Sequence, residues 1–311
     1  MKGKEALKMS GFGSVVIGLL FLFSCQYSPK QSQQKRLVLC TTGMIGDGLK
    51  NILPKEFEIH TLMGPGVDPH MFEARPHDIK ELAKAETIVY NGLHLEGKIA
   101  QLFKKLKKEK EVLAVSDYLN PDKYIEANDY SHDPHIWLDP FLWAEGIKGI
   151  GYKLAKLYPD FSDVIIANTE AYYAQILSAG NEMKRQLNQI PESQRVLITS
   201  HDAFSYFGRA FDIRVDALQG ISTVSEPGIR TVSSLMNDIV KNKIPCVFVE
   251  SSVAKKSILA LREACERKGY DLKEGGTLYS DAMGPKGSGA DTYLKMLGKN
   301  AETISKGLKQ D

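Results

Sequence analysis

With 40 Lys and Arg against 38 Asp and Glu in 311 residues, 43% of them apolar and 25% charged, the chain has the balance of a soluble globular protein long enough for two ordinary cores. Its formal net charge of +2 disappears once residues 1–24, with Lys2, Lys4, Lys8 and Glu5, are set aside. A neutral body has no general attraction to nucleic acid, which relies on clustered Lys and Arg.

"MKGKEALK" is basic, an apolar run follows from Phe12 to Phe23, and "LFSC" ends it at Cys25. The run is too short for a membrane span, which needs roughly 20 apolar residues. A basic start, a short apolar stretch and a small residue ahead of a Cys predict an export signal cleaved before Cys25. The boundary resembles the bacterial lipobox, in which the Cys becomes the lipidated first residue; a simple secretory signal with an incidental Cys is the alternative. Either way the mature chain works outside the cytoplasm. "QYSPKQSQQKR" is polar and aperiodic, a tether that completes segment 25–35, so the fold is expected to start at Arg36.

From Arg36 short apolar, β-branched runs alternate with stretches of helical period. Strands are predicted at "RLVLCTT", "EFEIHTLM", "TIVYNGL" and "VLAVSD", with "AQLFKKLKKEK" as an amphipathic helix between them. After Gln194 the rhythm resumes with "RVLITS", "RVDALQG", "PCVFVES" and "GGTLYS", separated by "DAFSYFGRAF", "SSLMNDIVKNK" and "SILALREACERK". Such alternation predicts an α/β fold with parallel sheets and crossover helices, in two lobes of similar plan, 36–159 and 191–311. Between them, 160–190 has no strand signal. Its apolar positions Ile165, Tyr172, Ile176 and Leu187, bracketed by Pro159 and Pro191, predict one long helix joining the lobes. Such a linker is stiff, so wide opening of the lobes is not expected.

Three cysteines follow Cys25. Cys40 and Cys246 lie in apolar strand runs and read as core residues, while a Cys246–Cys265 bridge is left open by the spacing.

The histidines and one aspartate then fall into a pattern. His70 lies in the loop after "EIHTLM", His135 in the loop after "VLAVSD", His201 directly after "RVLITS", and Asp281 directly after "GGTLYS". Loops at the carboxyl ends of parallel strands form the ligand crevice of open α/β sheets, so two loops from each lobe should face one interlobe cleft. Three neutral imidazoles and a carboxylate suit Zn(II), and also Mn(II) or Fe(II). Both His70 and His135 close an Asp-Pro-His tripeptide, a duplication that needs a reason. The other histidines carry weaker signals: His60 lies within a strand, His77 begins a helix, and His94 and His132 read as solvent-facing, with His132 a competitor to His135. The two-His, one-Glu helical zinc motif, a Gly-rich phosphate loop and a Cys-x-x-Cys pair are all missing.

Five blocks, "GPGVDPHMFEARPHDIKELAKAETIVYNGLHLE", "DPHIWLDP", "SHDAFSYFGRAF", "VFVESSVAKKSI" and "LYSDAMGPKGSGADTYLKML", resemble in order and over nearly the whole mature chain the metal-binding lipoproteins of bacterial ABC importers, the cluster A-I receptors for zinc and manganese. The resemblance implies two α/β lobes bridged by one helix, and a monomeric lipid-anchored receptor facing the periplasm or cell exterior. It also implies a permease and its ATPase as partners, with the metal as transported ligand. By motif position it puts the family's metal ligands on His70, His135, His201 and Asp281. Members of the zinc type often carry a long His-rich, acidic loop ahead of the second ligand; here only His132 precedes His135, which leans toward manganese or mixed specificity. Asp139 and Glu250 are candidates for orienting the imidazoles, against ordinary roles as helix cap and strand end. Protonation of the imidazoles should weaken metal binding as pH drops through roughly 6.5. Two other functions compete: an extracellular zinc hydrolase, for which Glu250 would be the general base, and a surface adhesin.

Overall fold

A computed structural model describes residues 35–127, 132–225 and 228–309. The export signal, Cys25 and the tether up to residue 34 lie outside the described residues.

The first half builds one sheet. Its elements are β1 (Arg36–Cys40), α1 (Gly43–Ile52), β2 (Phe57–Thr61), α2 (Pro76–Lys84), β3 (Thr87–Tyr90), α3 (Ala100–Leu106), β4 (Glu111–Ala114) and α4 (Pro140–Leu157). The four strands pair in parallel in the order β2-β1-β3-β4. Val38, Leu39 and Cys40 in β1 and Ile88 and Val89 in β3 are fully buried, as expected where helices cover both faces of a parallel sheet.

Next comes α5 (Ser162–Leu187), 26 residues long and thus about 39 Å at 1.5 Å per residue. It matches the single helix expected over 160–190. Ile165, Thr169, Tyr172, Ile176, Gly180, Met183 and Leu187 recur every three or four positions and are buried, so one stripe of the helix is packed along its whole length. The partner along that stripe is α4, a helix the sequence pattern did not reveal. Gly146, Gly149 and Gly151 dilute its apolar period, yet each makes room for a neighbour: Gly146 for Val115, Gly149 for Tyr118, and Gly151 for Thr169 of α5. A methyl group on Gly151 would lie 2.2 Å from Thr169 Oγ1, a distance no packed structure tolerates.

The second half contains β5 (Val196–His201), α6 (Ser205–Phe211), β6 (Arg214–Gln219), α7 (Ile229–Asn242), β7 (Cys246–Glu250), α8 (Lys256–Glu266), β8 (Lys273–Leu278) and α9 (Tyr293–Leu308). Here β5 pairs with β6 and β7 with β8, all in parallel. Like α4, helices α1 and α9 are additions to the predicted set. One buried apolar cluster runs from Val38 through α4 and α5 to Leu308, so core residues of both halves pack in a continuous interior around the long helix. Cys40, Cys246 and Cys265 are buried free thiols. The bridge left open between Cys246 and Cys265 is not formed; Cys246 instead donates to the carbonyl of Gly307 at 3.1 Å.

Candidate metal centre

His201 and Asp281 sit at strand ends, and His70 and His135 sit in longer segments that follow β2 and β4. The chain leaves β2 at Thr61 and turns back at Asp68-Pro69-His70, where Asp68 Oδ1 accepts the backbone N–H of His70 at 2.8 Å. The second tripeptide repeats this turn: Asp133 Oδ1 accepts the backbone N–H of His135, also at 2.8 Å. In both, proline fixes its own φ and favours an extended Asp, so the carboxylate reaches the amide two residues on. His201 is the last residue of β5 and Asp281 lies just beyond β8.

The four side chains converge. Donor atoms of His70, His135, His201 and Asp281 lie within 4.8 Å of one another, and all four residues are buried. His70 Nε2 is 3.2 Å from His135 Nε2, His135 Nε2 is 3.4 Å from Asp281 Oδ1, and His201 Nε2 is 3.3 Å from Asp281 Oδ2. For a tetrahedral ion with bonds of about 2.0–2.1 Å, neighbouring donors stand roughly 3.3 Å apart. The three close contacts have that spacing. His201 Nε2 and Asp281 Oδ1 are buried without a hydrogen-bond partner. Buried polar atoms are nearly always satisfied, and a cation between them would serve both.

The imidazoles are held by different means. His135 Nδ1 is 2.7 Å from Asp133 Oδ1, and His201 Nδ1 is 2.6 Å from Glu250 Oε2, whose Oε1 accepts the backbone N–H of His201 at 2.9 Å. The Glu250 oxygen lies off the line of the ring N–H, so that contact is an ion pair more than a directed hydrogen bond. Among the described residues nothing hydrogen-bonds His70 Nδ1. Burial pulls the pKa of His70 down to about 3, only partly opposed by Asp281, which keeps its ring neutral. For His135 burial also opposes charge, but Asp133 and Asp281 outweigh it and push the pKa up to about 9. Burial is likewise outweighed at His201 by Glu250 and Asp281, which raise its pKa well above the usual range. The carboxyl of Asp281, which burial alone would raise, is held well below its usual range by His201, His135 and His70.

Glu250 therefore lies against the imidazole of His201, with Oε1 on its backbone N–H and Oε2 2.6 Å from its Nδ1. Asp139 does not. It caps α4, accepting the N–H groups of Phe141 and Leu142 at 2.9 and 3.1 Å, and its other oxygen meets Arg209. The carboxylate behind His135 is Asp133, which sequence reasoning passed over. Its signal was present in the repeated Asp-Pro-His, because an Asp two residues before a loop His can reach both its amide and its ring. His132 packs on Tyr124, with ring centroids 5.1 Å apart, and takes no part in the cluster.

Contacts between the halves hold the loops in register. Trp137 Nε1 donates to the carbonyl of Ser280 at 2.7 Å, Tyr293 Oη to that of Trp137 at 2.8 Å, and Tyr206 Oη to that of Asp133 at 3.0 Å. Residues on either side of the long helix thus buttress each other's donor loops.

Residues 38–307 match the family model ZnuA, described as zinc-uptake complex component A, periplasmic. The chain is similar to the zinc-binding protein TroA of Treponema pallidum, 38% identical over 292 residues that cover 93% of this chain and 95% of that protein. It is also similar to the manganese-binding lipoprotein MntA of Bacillus subtilis, 40% identical over 281 residues covering 90% and 92%. The solved structure of the periplasmic zinc binding protein TroA superposes with a TM-score of 0.86 at 39% identity, over 89% of this chain and all of that one. A match across nearly the whole described fold, together with a buried three-histidine, one-aspartate cluster, means that the chain belongs to the ZnuA family.

Proposed function

We propose that the protein is the extracytoplasmic substrate-binding receptor of an ABC importer, capturing Zn(II) or Mn(II) and handing it to a membrane permease driven by its ATPase. His70, His135, His201 and Asp281 are the donors, in a cleft between lobes 36–159 and 191–311 that helix 160–190 joins. The observation that carries this reading is the convergence of the four buried donor groups within 4.8 Å. The zinc-binding and manganese-binding relatives support both metals as cargo. Glu250 orients His201 and Asp133 orients His135, fixing which ring nitrogen faces the ion. Lipidation at Cys25 would keep the receptor at the membrane, and Cys25→Ala should release the mature chain in soluble form.

The test is elemental analysis of protein purified without chelators, followed by competition between Zn(II) and Mn(II). One ion per chain is expected. Tighter zinc binding in vitro would not by itself identify the cargo, because Zn(II) outranks Mn(II) at most N/O sites. Calorimetry of His70→Ala and Asp281→Ala checks the donor set; unchanged stoichiometry and affinity in both variants would refute it.

A further inference from the structure

An ion enclosed by the four buried donors cannot leave unless some contact over it breaks, and the contacts are unequal. Trp137 to Ser280, Tyr293 to Trp137 and Tyr206 to Asp133 are buried bonds to main-chain carbonyls. The bond between Thr223 and Asp68 is different. Thr223, in the loop after β6, donates its hydroxyl to Asp68 Oδ2 at 2.5 Å, while Asp68 Oδ1 holds the backbone N–H of His70. This bond joins two half-buried side chains 155 positions apart in sequence.

It also stands at the edge of the cluster. Asp68 and Thr223 line a 160 Å³ pocket with Gln219, Ser252 and Lys256, and this pocket reaches the exposed Ala254 and Lys256. Ser252 Oγ in turn contacts Asp281 Oδ2 at 3.3 Å. The pocket therefore leads from solvent to groups that touch two of the four donors. His70 is the most exposed of the four at 5%. Its ring has no carboxylate behind it, so its loop is restrained through the Asp68 carboxylate.

We infer that the Asp68–Thr223 hydrogen bond is a latch on metal release: it pins the His70 loop to the opposite half of the chain, and breaking it frees His70 to swing away first. The inference rests on the receptor function proposed above. It names Thr223 as a positioning residue that acts through Asp68 and never touches the ion.

The experiment measures Zn(II) transfer from the loaded full mature chain to excess chelator by stopped flow, for wild type, Thr223→Val, Thr223→Ala and Thr223→Ser. A hydrogen bond to a carboxylate corresponds to a factor of about ten in an equilibrium. Release should accelerate about tenfold in Thr223→Val and Thr223→Ala and return to the wild-type rate in Thr223→Ser, which keeps the hydroxyl. The Co(II) absorption spectrum, which reports the donor set, should be the same in all four. Release within twofold of wild type in the Val and Ala variants overturns the latch, as does a changed Co(II) spectrum or a Ser variant as fast as Val. A wild-type chain that takes up no metal overturns the receptor function and the latch together, whereas normal uptake with equal release rates overturns the latch alone.

Discussion

The two Asp-Pro-His loops share a sequence and a turn but not a task. In each the aspartate accepts the histidine's backbone N–H at 2.8 Å. Asp133 then spends the same oxygen on the ring of its own His135, at 2.7 Å, whereas Asp68 turns its second oxygen to Thr223 in the other half. One loop is tied inward and the other across. The difference teaches that a tripeptide sets where an imidazole starts, and the neighbours decide whether it is anchored through its ring or through its loop.

The largest expected effect comes from deleting each imidazole. His135→Ala and His70→Ala should both weaken metal binding by more than the 10–100-fold typical of losing a supporting residue. Only His135→Ala should also destabilise the metal-free fold, by about 3–5 kcal/mol, because it leaves the fully buried Asp133 without its imidazole. Urea unfolding of the two metal-free variants checks this, and equal stabilities would erase the contrast between the loops.

Next in size is Asp133→Asn, which keeps the side-chain volume and removes the charge behind His135. Metal affinity should fall about 10–100-fold by competition titration, with the Co(II) coordination number unchanged.

A smaller effect concerns protons. Without metal, His135 stays protonated up to about pH 9 and His201 beyond the usual range, while His70 is neutral above about 3. A ring nitrogen must lose its proton to bind the ion, so uptake at pH 7 should release about two protons, from His135 and His201 and none from His70. Affinity should keep rising above pH 6.5 toward pH 9 instead of levelling off. Calorimetry in buffers of different ionisation enthalpy gives the count, and release of none would contradict the ion pairs behind the rings.

The smallest is Asp139→Ala. As a helix cap its loss should lower stability by about 1 kcal/mol and leave metal affinity unchanged; a tenfold loss of affinity would restore it to the site.

The places of the strands along the chain and the long helix were legible because burial on both faces of a parallel sheet writes continuous apolar runs, and because Ile165, Tyr172, Ile176 and Leu187 mark one helical stripe. The convergence of His70, His135, His201 and Asp281 was legible for a related reason: His201 ends β5, and the chain beyond the carboxyl ends of β2, β4 and β8 carries the other three. Helix α4 was hidden by glycines that make room for its neighbours, Gly151 against Thr169 of α5 and Gly146 and Gly149 against Val115 and Tyr118, a property of the partners and not of the helix alone.

By itself, then, the sequence determined which residues stand at strand ends and which chemical groups they bring, since local periodicity and turn chemistry are properties of neighbours along the chain. Only the tertiary structure decided which carboxylate supports which imidazole: Asp133 and not Asp139 behind His135, Glu250 behind His201, and Thr223 answering Asp68 from 155 positions away. Hydrogen bonds act over about 3 Å of space, and separation along the chain carries no record of that distance.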